Sequence, residues 1–105
     1  MAPVVDLAVA DLAVAVEYYE SLLAVTPETK GSNSATLVGD HMRLNLRKSP
    51  PAATSHTTLQ VTCGLLARIL DAAMKANCTI AVDSPEQVKL TDRYGQKWTL
   101  RCRLS

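Results

Sequence analysis

The apolar residues switch between two periods along the chain. Val5, Leu7 and Val9 recur every second residue, which predicts a strand over Val4–Val9 with one apolar face. Asp11 follows, a residue whose carboxylate can accept from the free amides of a first helical turn. Leu12, Ala15, Val16, Tyr19, Leu22 and Leu23 then recur at three- and four-residue spacing, predicting a helix that ends near Leu23. Pro27 and the run Gly31, Ser32, Asn33, Ser34 break the pattern. Residues 35–38 and 42–47 next flank Gly39 and Asp40, as two strands flank a hairpin turn. Met42, Leu44 and Leu46 alternate with Arg43, Asn45 and Arg47.

The same order then restarts. Residues 49–54 contain Pro50 and Pro51, which exclude both helix and central strand and predict a linker. Residues 56–61 alternate as a strand. Leu66, Ile69, Leu70, Ala73 and Met74 mark a second helix that ends near Asn77, a residue tolerant of the left-handed helix exit. Residues 79–82, 88–91 and 97–102 read as strands, with Tyr94 and Gly95 turning into the last. The order is read as strand, helix, three strands, twice, with one strand of the first half not located between Leu23 and residue 35. Leu7, Ala8 and Val9 align with Leu59, Gln60 and Val61 at an offset of 52, and Gly39, Met42 and Leu44 with Gly95, Trp98 and Leu100 at an offset of 56. An internal repeat of this kind predicts an α+β fold of two tandem βαβββ modules, the first about 1–48, the second about 55–105, with a linker at 49–54.

Composition narrows the function classes. The 105 residues suit one domain with a modest core. Phe is absent and Trp occurs once, so aliphatic residues must fill most of the interior. The net charge of +1, spread along the chain, gives no electrostatic case for nucleic acid or an anionic membrane as partner. No apolar run approaches the roughly 20 residues of a membrane span, and the N-terminal residues lack the basic-then-apolar order of a secretory signal. Cys63, Cys78 and Cys102 have neither an even count nor metal-site spacing, so reduced thiols in the cytoplasm are expected.

Leu7 to Leu12, then Ala15 and Tyr18, Tyr19, Glu20, Ser21, Leu22, Leu23, resemble the opening of vicinal-oxygen-chelate proteins, the glyoxalase/bleomycin-resistance/dioxygenase superfamily. Asp92, Arg93, Tyr94, Gly95, Gln96, Lys97 and Trp98 resemble the closing turn and strand of that superfamily. Ala24 stands where the family has glycine, and Arg93 where it has proline. The resemblance covers almost the whole chain and implies one domain over 1–105 whose mixed sheet forms a U-shaped groove, commonly as a homodimer.

In metal-dependent members, four inward positions hold a divalent ion. Aligning the motifs places these at Val4, Arg43, His56 and Thr99. Only His56 is a good ligand, and Arg43 puts a fixed positive charge at the ion's place, so no metal and no other cofactor is expected. A register slip of two would bring in Asp6 instead, keeping an Asp6/His56 metal pair open. Alternation assigns the groove face to Asp6 and Ala8, Arg43, Asn45 and Arg47, His56, Thr58 and Gln60, and Lys97, Thr99 and Arg101. The expected ligand-binding set is Asp6, Arg43, Asn45, His56, Thr58, Gln60, Thr99 and Arg101, with no catalytic residue. Arg43, Arg101 and His56 could hold an anion. Alternatively, Asp6 and the arginines neutralise one another. His41 is expected in a solvated turn, Cys63 at a helix start as a small buried thiol like Cys78 and Cys102, and Trp98, Tyr18 and Tyr19 as packing.

The reading is therefore a non-catalytic protein that binds a small anionic or zwitterionic molecule, resembling the bleomycin-resistance branch. Two alternatives remain: a metal-dependent lyase, dioxygenase or thiol transferase using His56, or a structural or regulatory dimer with no specific ligand.

Overall fold

The structure is a computed structural model that describes residues 3–50 and 56–103. The chain divides into two compact units, 1–53 and 54–105. Unit 1 contains β1 (Val4–Val9), α1 (Leu12–Leu22), β2 (Thr26–Lys30), β3 (Ser34–Gly39) and β4 (Met42–Lys48). Unit 2 contains β5 (His56–Thr62), α2 (Cys63–Lys75), β6 (Thr79–Ser84), β7 (Gln87–Thr91) and β8 (Lys97–Arg103). Each unit is thus βαβββ, as the repeat predicts. The sheet orders are β1-β4-β3-β2 and β5-β8-β7-β6. β1 runs parallel to β4 and β5 parallel to β8, while the remaining pairs are antiparallel.

The helices start where side chains can accept from free amides. Asp11 accepts from the Val14 amide at 3.2 Å in unit 1. In unit 2 the cap is Thr62, whose hydroxyl accepts from the Leu65 amide at 3.1 Å, leaving Cys63 as the first helical residue. Helix α1 buries Leu12, Ala15, Val16, Tyr19 and Leu22, and α2 buries Leu66, Ile69 and Ala73. Against them lie Leu37, Leu44 and Leu46 in unit 1, and Leu59, Leu90, Trp98 and Leu100 in unit 2, all essentially inaccessible. Each such side chain contributes about 1.5–3 kcal/mol relative to exposure. Both helices exit through a left-handed residue, Ala24 (φ 55°) and Asn77 (φ 58°).

Four local expectations are corrected. Pro27 does not break the chain: β2 forms around it, at the sheet edge, where a missing amide donor is tolerated, with a bulge between Pro27 and Thr29. The β3–β4 turn is made by Asp40 and His41, since Gly39 pairs with Met42. The strand-to-strand offset of the closing hairpins is 54, because Leu7 pairs with Leu46 and Leu59 with Leu100. A shift of two from the expected 56 preserves which face each residue occupies. Finally, Cys63 is exposed rather than buried and is joined to Cys102 in a disulfide with a Cα–Cα distance of 5.2 Å, while Cys78 lies outside that bond.

One edge of the unit 2 sheet is β6, where Val82 is 68% exposed beside a register shift between Val82 and Ser84. The expected linker falls largely on residues 51–55, outside the described residues. Among the described residues, no helix is long and apolar enough to cross a membrane.

Candidate functional site

Strand pairing arranges the polar face of unit 2 in rows. His56, Lys97, Thr91 and Thr79 form the first, and Thr58, Thr99, Lys89 and Ala81 the second. Gln60, Arg101 and Gln87 follow in the third. Successive residues of a strand point to opposite faces, so every member of these rows lies opposite the helix-covered core. His56 Nε2 is hydrogen-bonded diagonally across the first two rows to Thr99 Oγ1, and Thr99 is buried.

A cavity of about 440 Å³ opens here, lined by His56, Thr79, Ala81, Lys89, Leu90, Thr91, Lys97, Trp98 and Thr99. That size suits a small organic molecule. The lining offers two ammonium groups, an imidazole and three hydroxyls, and no carboxylate. Lys89 meets Asp83 at 3.4 Å, an exposed pair of the kind worth at most about 1 kcal/mol. Asp83 also accepts from Gln87 Nε2 at 3.1 Å. Among the described residues, Lys97 and Arg101 have no carboxylate partner. An anion about 4 Å from Lys97 would gain roughly 1–4 kcal/mol of Coulomb energy before desolvation, depending on exposure.

The turn that delivers this strand is built from the closing motif. The buried Asp92 carboxylate accepts from the amides of Tyr94 (2.9 Å) and Gln96 (3.0 Å) through Oδ1 and from Trp98 Nε1 (2.9 Å) through Oδ2. Gly95 takes φ 79°, which its lack of a Cβ permits. Asp92 therefore sets the start of β8, and with it Lys97 and Thr99. The motif that carries the resemblance is a turn-forming device, not a reactive group.

Unit 1 presents a matching face with different contents. Asn45 Nδ2 donates to Asp6 Oδ1 at 3.0 Å, and Thr36 Oγ1 donates to Asn45 Oδ1 at 3.0 Å, a ladder across β1, β4 and β3. Arg43 is paired with Glu28 at 3.3 Å. The predicted residues Asp6, Arg43 and Asn45 thus lie together on one sheet, occupied with side-chain partners. His56, Thr58, Gln60, Thr99 and Arg101 lie together on the other.

Sequence reasoning left Lys89, Thr79 and Thr91 out of the groove, and placed Lys97 on the groove face but outside the ligand set. The alternation of residues 88–91 carried the signal for Lys89 and Thr91, but their proximity to His56 needs the strand order. His41 is not in a solvated turn. It is buried, with Nε2 donating to the Leu23 carbonyl at 2.8 Å, and burial lowers its pKa from the ordinary 6.5, outweighing the Leu23 carbonyl and Asp40, which raise it.

No protein-family model matches the chain, and no curated protein does. Solved structures do match over nearly its whole length. A glyoxalase/bleomycin resistance protein from Albidiferax ferrireducens T118 superposes with a TM-score of 0.75 at 17% identity, covering 96% of this chain and 97% of that one. The oxidase ChaP-H2 gives 0.78 at 13% identity, covering 99% and 94%. The fosfomycin resistance protein FosX from Listeria monocytogenes, complexed with Mn(II) and sulfate, gives 0.73 at 9% identity, covering 95% and 87%. The chain has the glyoxalase/bleomycin-resistance fold, as the resemblance implies.

The FosX complex raises the question of a metal. Among the described residues, no three His, Cys, Asp or Glu side chains are placed to hold an ion. His56 is engaged by Thr99 beside the ammonium-bearing Lys97, and Asp6 belongs to the Asn45 ladder of unit 1. A divalent ion needs about three anionic or imidazole donors, so these residues do not fit one.

Proposed function

We propose that this chain is a non-catalytic small-molecule-binding protein of the vicinal-oxygen-chelate superfamily, with an anionic or zwitterionic ligand seated on the polar face of unit 2. The observation that carries this reading is the cavity's lining: Lys97, Lys89 and His56 with no carboxylate among them. Lys97 supplies the charge, His56 and Thr99 a polar wall, and Thr58, Gln60 and Arg101 extend the face beyond it. Asp6, Arg43 and Asn45 remain ligand residues in this reading only at a cost, because each must first give up the partner it has. The hydroxyl that meets His56 Nε2 is that of buried Thr99, and among the described residues no carboxylate orients the ring, which favours binding over catalysis. A homodimer completes the proposal, on the resemblance to the superfamily, and a cytoplasmic location stays part of it only with a Cys63–Cys102 bond that is labile there.

Thermal melts of the purified protein with small carboxylates, inorganic phosphate, zwitterionic amino acids and cationic amines test it. A ligand at 100 times its Kd adds about 2.7 kcal/mol of stability. A saturable upward shift is expected with an anion or zwitterion and none with amines, and Lys97→Gln should reduce it. No shift with any anion, or an unchanged shift in Lys97→Gln, refutes this site. Stoichiometric metal in the purified protein, lost in His56→Ala, would replace the reading with a metal-dependent one.

A further inference from the structure

The Cys63–Cys102 bond joins two corners of unit 2 that differ sharply in access. Cys63 is exposed at the first position of α2, and a Cβ built on the adjacent Gly64 would meet nothing within 4 Å, so the surface there is open. Cys102 is buried, paired in the ladder with Val61 near the end of β8. The bond closes a loop across 39 positions that contains α2, β6 and β7. It therefore ties the end of β8, the strand that carries Lys97 and Thr99, to the start of α2. Disulfides that exist in reducing compartments are mostly transient and redox-sensing.

We propose that Cys63 is a thiol-exchange site, at which a small-molecule thiol of the glutathione class opens the Cys63–Cys102 bond and frees the end of β8. The thiolate attacks Cys63 Sγ, because Cys102 Sγ is shielded. A bond forms between the incoming sulfur and Cys63, and the Cys63–Cys102 bond breaks. The electron pair leaves on Cys102 Sγ, which takes a proton from water. A second thiolate attacks the small-molecule sulfur of the mixed disulfide and releases Cys63, which takes a proton from water. Two thiols are oxidised to one small-molecule disulfide, and the protein gains two electrons and two protons. Oxidation runs the same steps backwards, and S-thiolation of Cys63 is the intermediate in both directions.

The full chain carrying Cys78→Ser, equilibrated in glutathione buffers of graded poise and quenched with a maleimide polymer, reads the state of the pair by gel shift. Peptide mass mapping locates the mixed disulfide. One two-electron transition is expected, with glutathione on Cys63. The reduced form should melt at least about 5 °C below the oxidised form, with faster amide exchange confined to the end of β8 and the start of α2. Glutathione found on Cys102, no bond formed under oxidising poise, or identical melting of the two forms would overturn the proposal. Reduction of the unsubstituted cysteine pair is itself the perturbation, so the test does not depend on a Cys63 or Cys102 variant folding. No readout involves a ligand, so failure here is distinct from failure of the binding site.

Discussion

Units 1 and 2 are built on the same strand rows, yet their polar faces differ in kind. Val4 and Arg43 of unit 1 occupy the places of His56 and Lys97 in unit 2, and Asp6, Asn45 and Thr36 those of Thr58, Thr99 and Lys89. In unit 1 the charges and amides bond one another, through Asn45 to Asp6 and Arg43 to Glu28. In unit 2 the face is cationic, opens on a cavity and leaves Lys97 without a carboxylate among the described residues. A repeated scaffold preserves which side chains face outward; it does not preserve what they do there. One face is largely paired within itself, and the other is the face to which the proposed ligand is assigned.

The turns that set the two faces break that comparison most forcefully. Asp92→Ala should destabilise the protein by roughly 3 kcal/mol or more in urea unfolding, because three donors, the Trp98 indole among them, lose their acceptor. The unit 1 turn, made by Asp40 and His41, is anchored by the single bond from His41 to the Leu23 carbonyl, so His41→Ala should cost only about 1–2 kcal/mol. A comparable loss for both variants would show that the turns are energetically alike.

His41 also gives unit 1 a pH dependence. Above about pH 6.5 the ring is neutral in both folded and unfolded chains, and its contribution is complete. As pH falls through 6.5 the unfolded chain takes up the proton first, so stability declines until the lowered folded pKa is passed. Unfolding free energies between pH 7.5 and 5 should show this slope, and His41→Asn should flatten it.

Smaller effects test whether the face of unit 1 is closed. Asn45→Ala should cost about 1 kcal/mol, since Thr36 and Asp6 both lose a partner on a partly exposed surface. A double-mutant cycle on Glu28 and Arg43 should give less than about 1 kcal/mol of coupling, fading in high salt, as expected of a pair about half exposed on each side. A coupling of several kcal/mol would mean that the pair is more deeply desolvated than its geometry implies.

Most of the architecture was legible because it rests on local patterns. Alternation located the helix-facing residues of β1, β4, β5 and β8, and Asp11 and Asn77 marked a helix start and a helix end. β2 was illegible because Pro27 excludes only a central strand, and which strand lies at an edge is a tertiary fact. The site was legible to the extent of its faces. His56, Thr58, Gln60, Thr99 and Arg101 fell on one sheet as their parity required, but parity says nothing of neighbouring strands, so Lys89 was missed and Glu28 was not foreseen as the partner of Arg43. The cysteine pairing was equally hidden. Cys63 and Cys102 meet only because β5 and β8 run parallel side by side.

The edge strands β2 and β6, one in each sheet, have a consequence for handling and expression. β2 presents Pro27, Glu28 and Lys30 together with a bulge, features that deny a second chain a regular hydrogen-bonding template. β6 has a bulge too, but no proline, and its exposed Val82 is followed by a single acid, Asp83. Of these two edges, β6 is the one at which edge-to-edge aggregation should begin. A lysine in place of Val82 is the substitution that should raise the protein's solubility limit with least disturbance to its core.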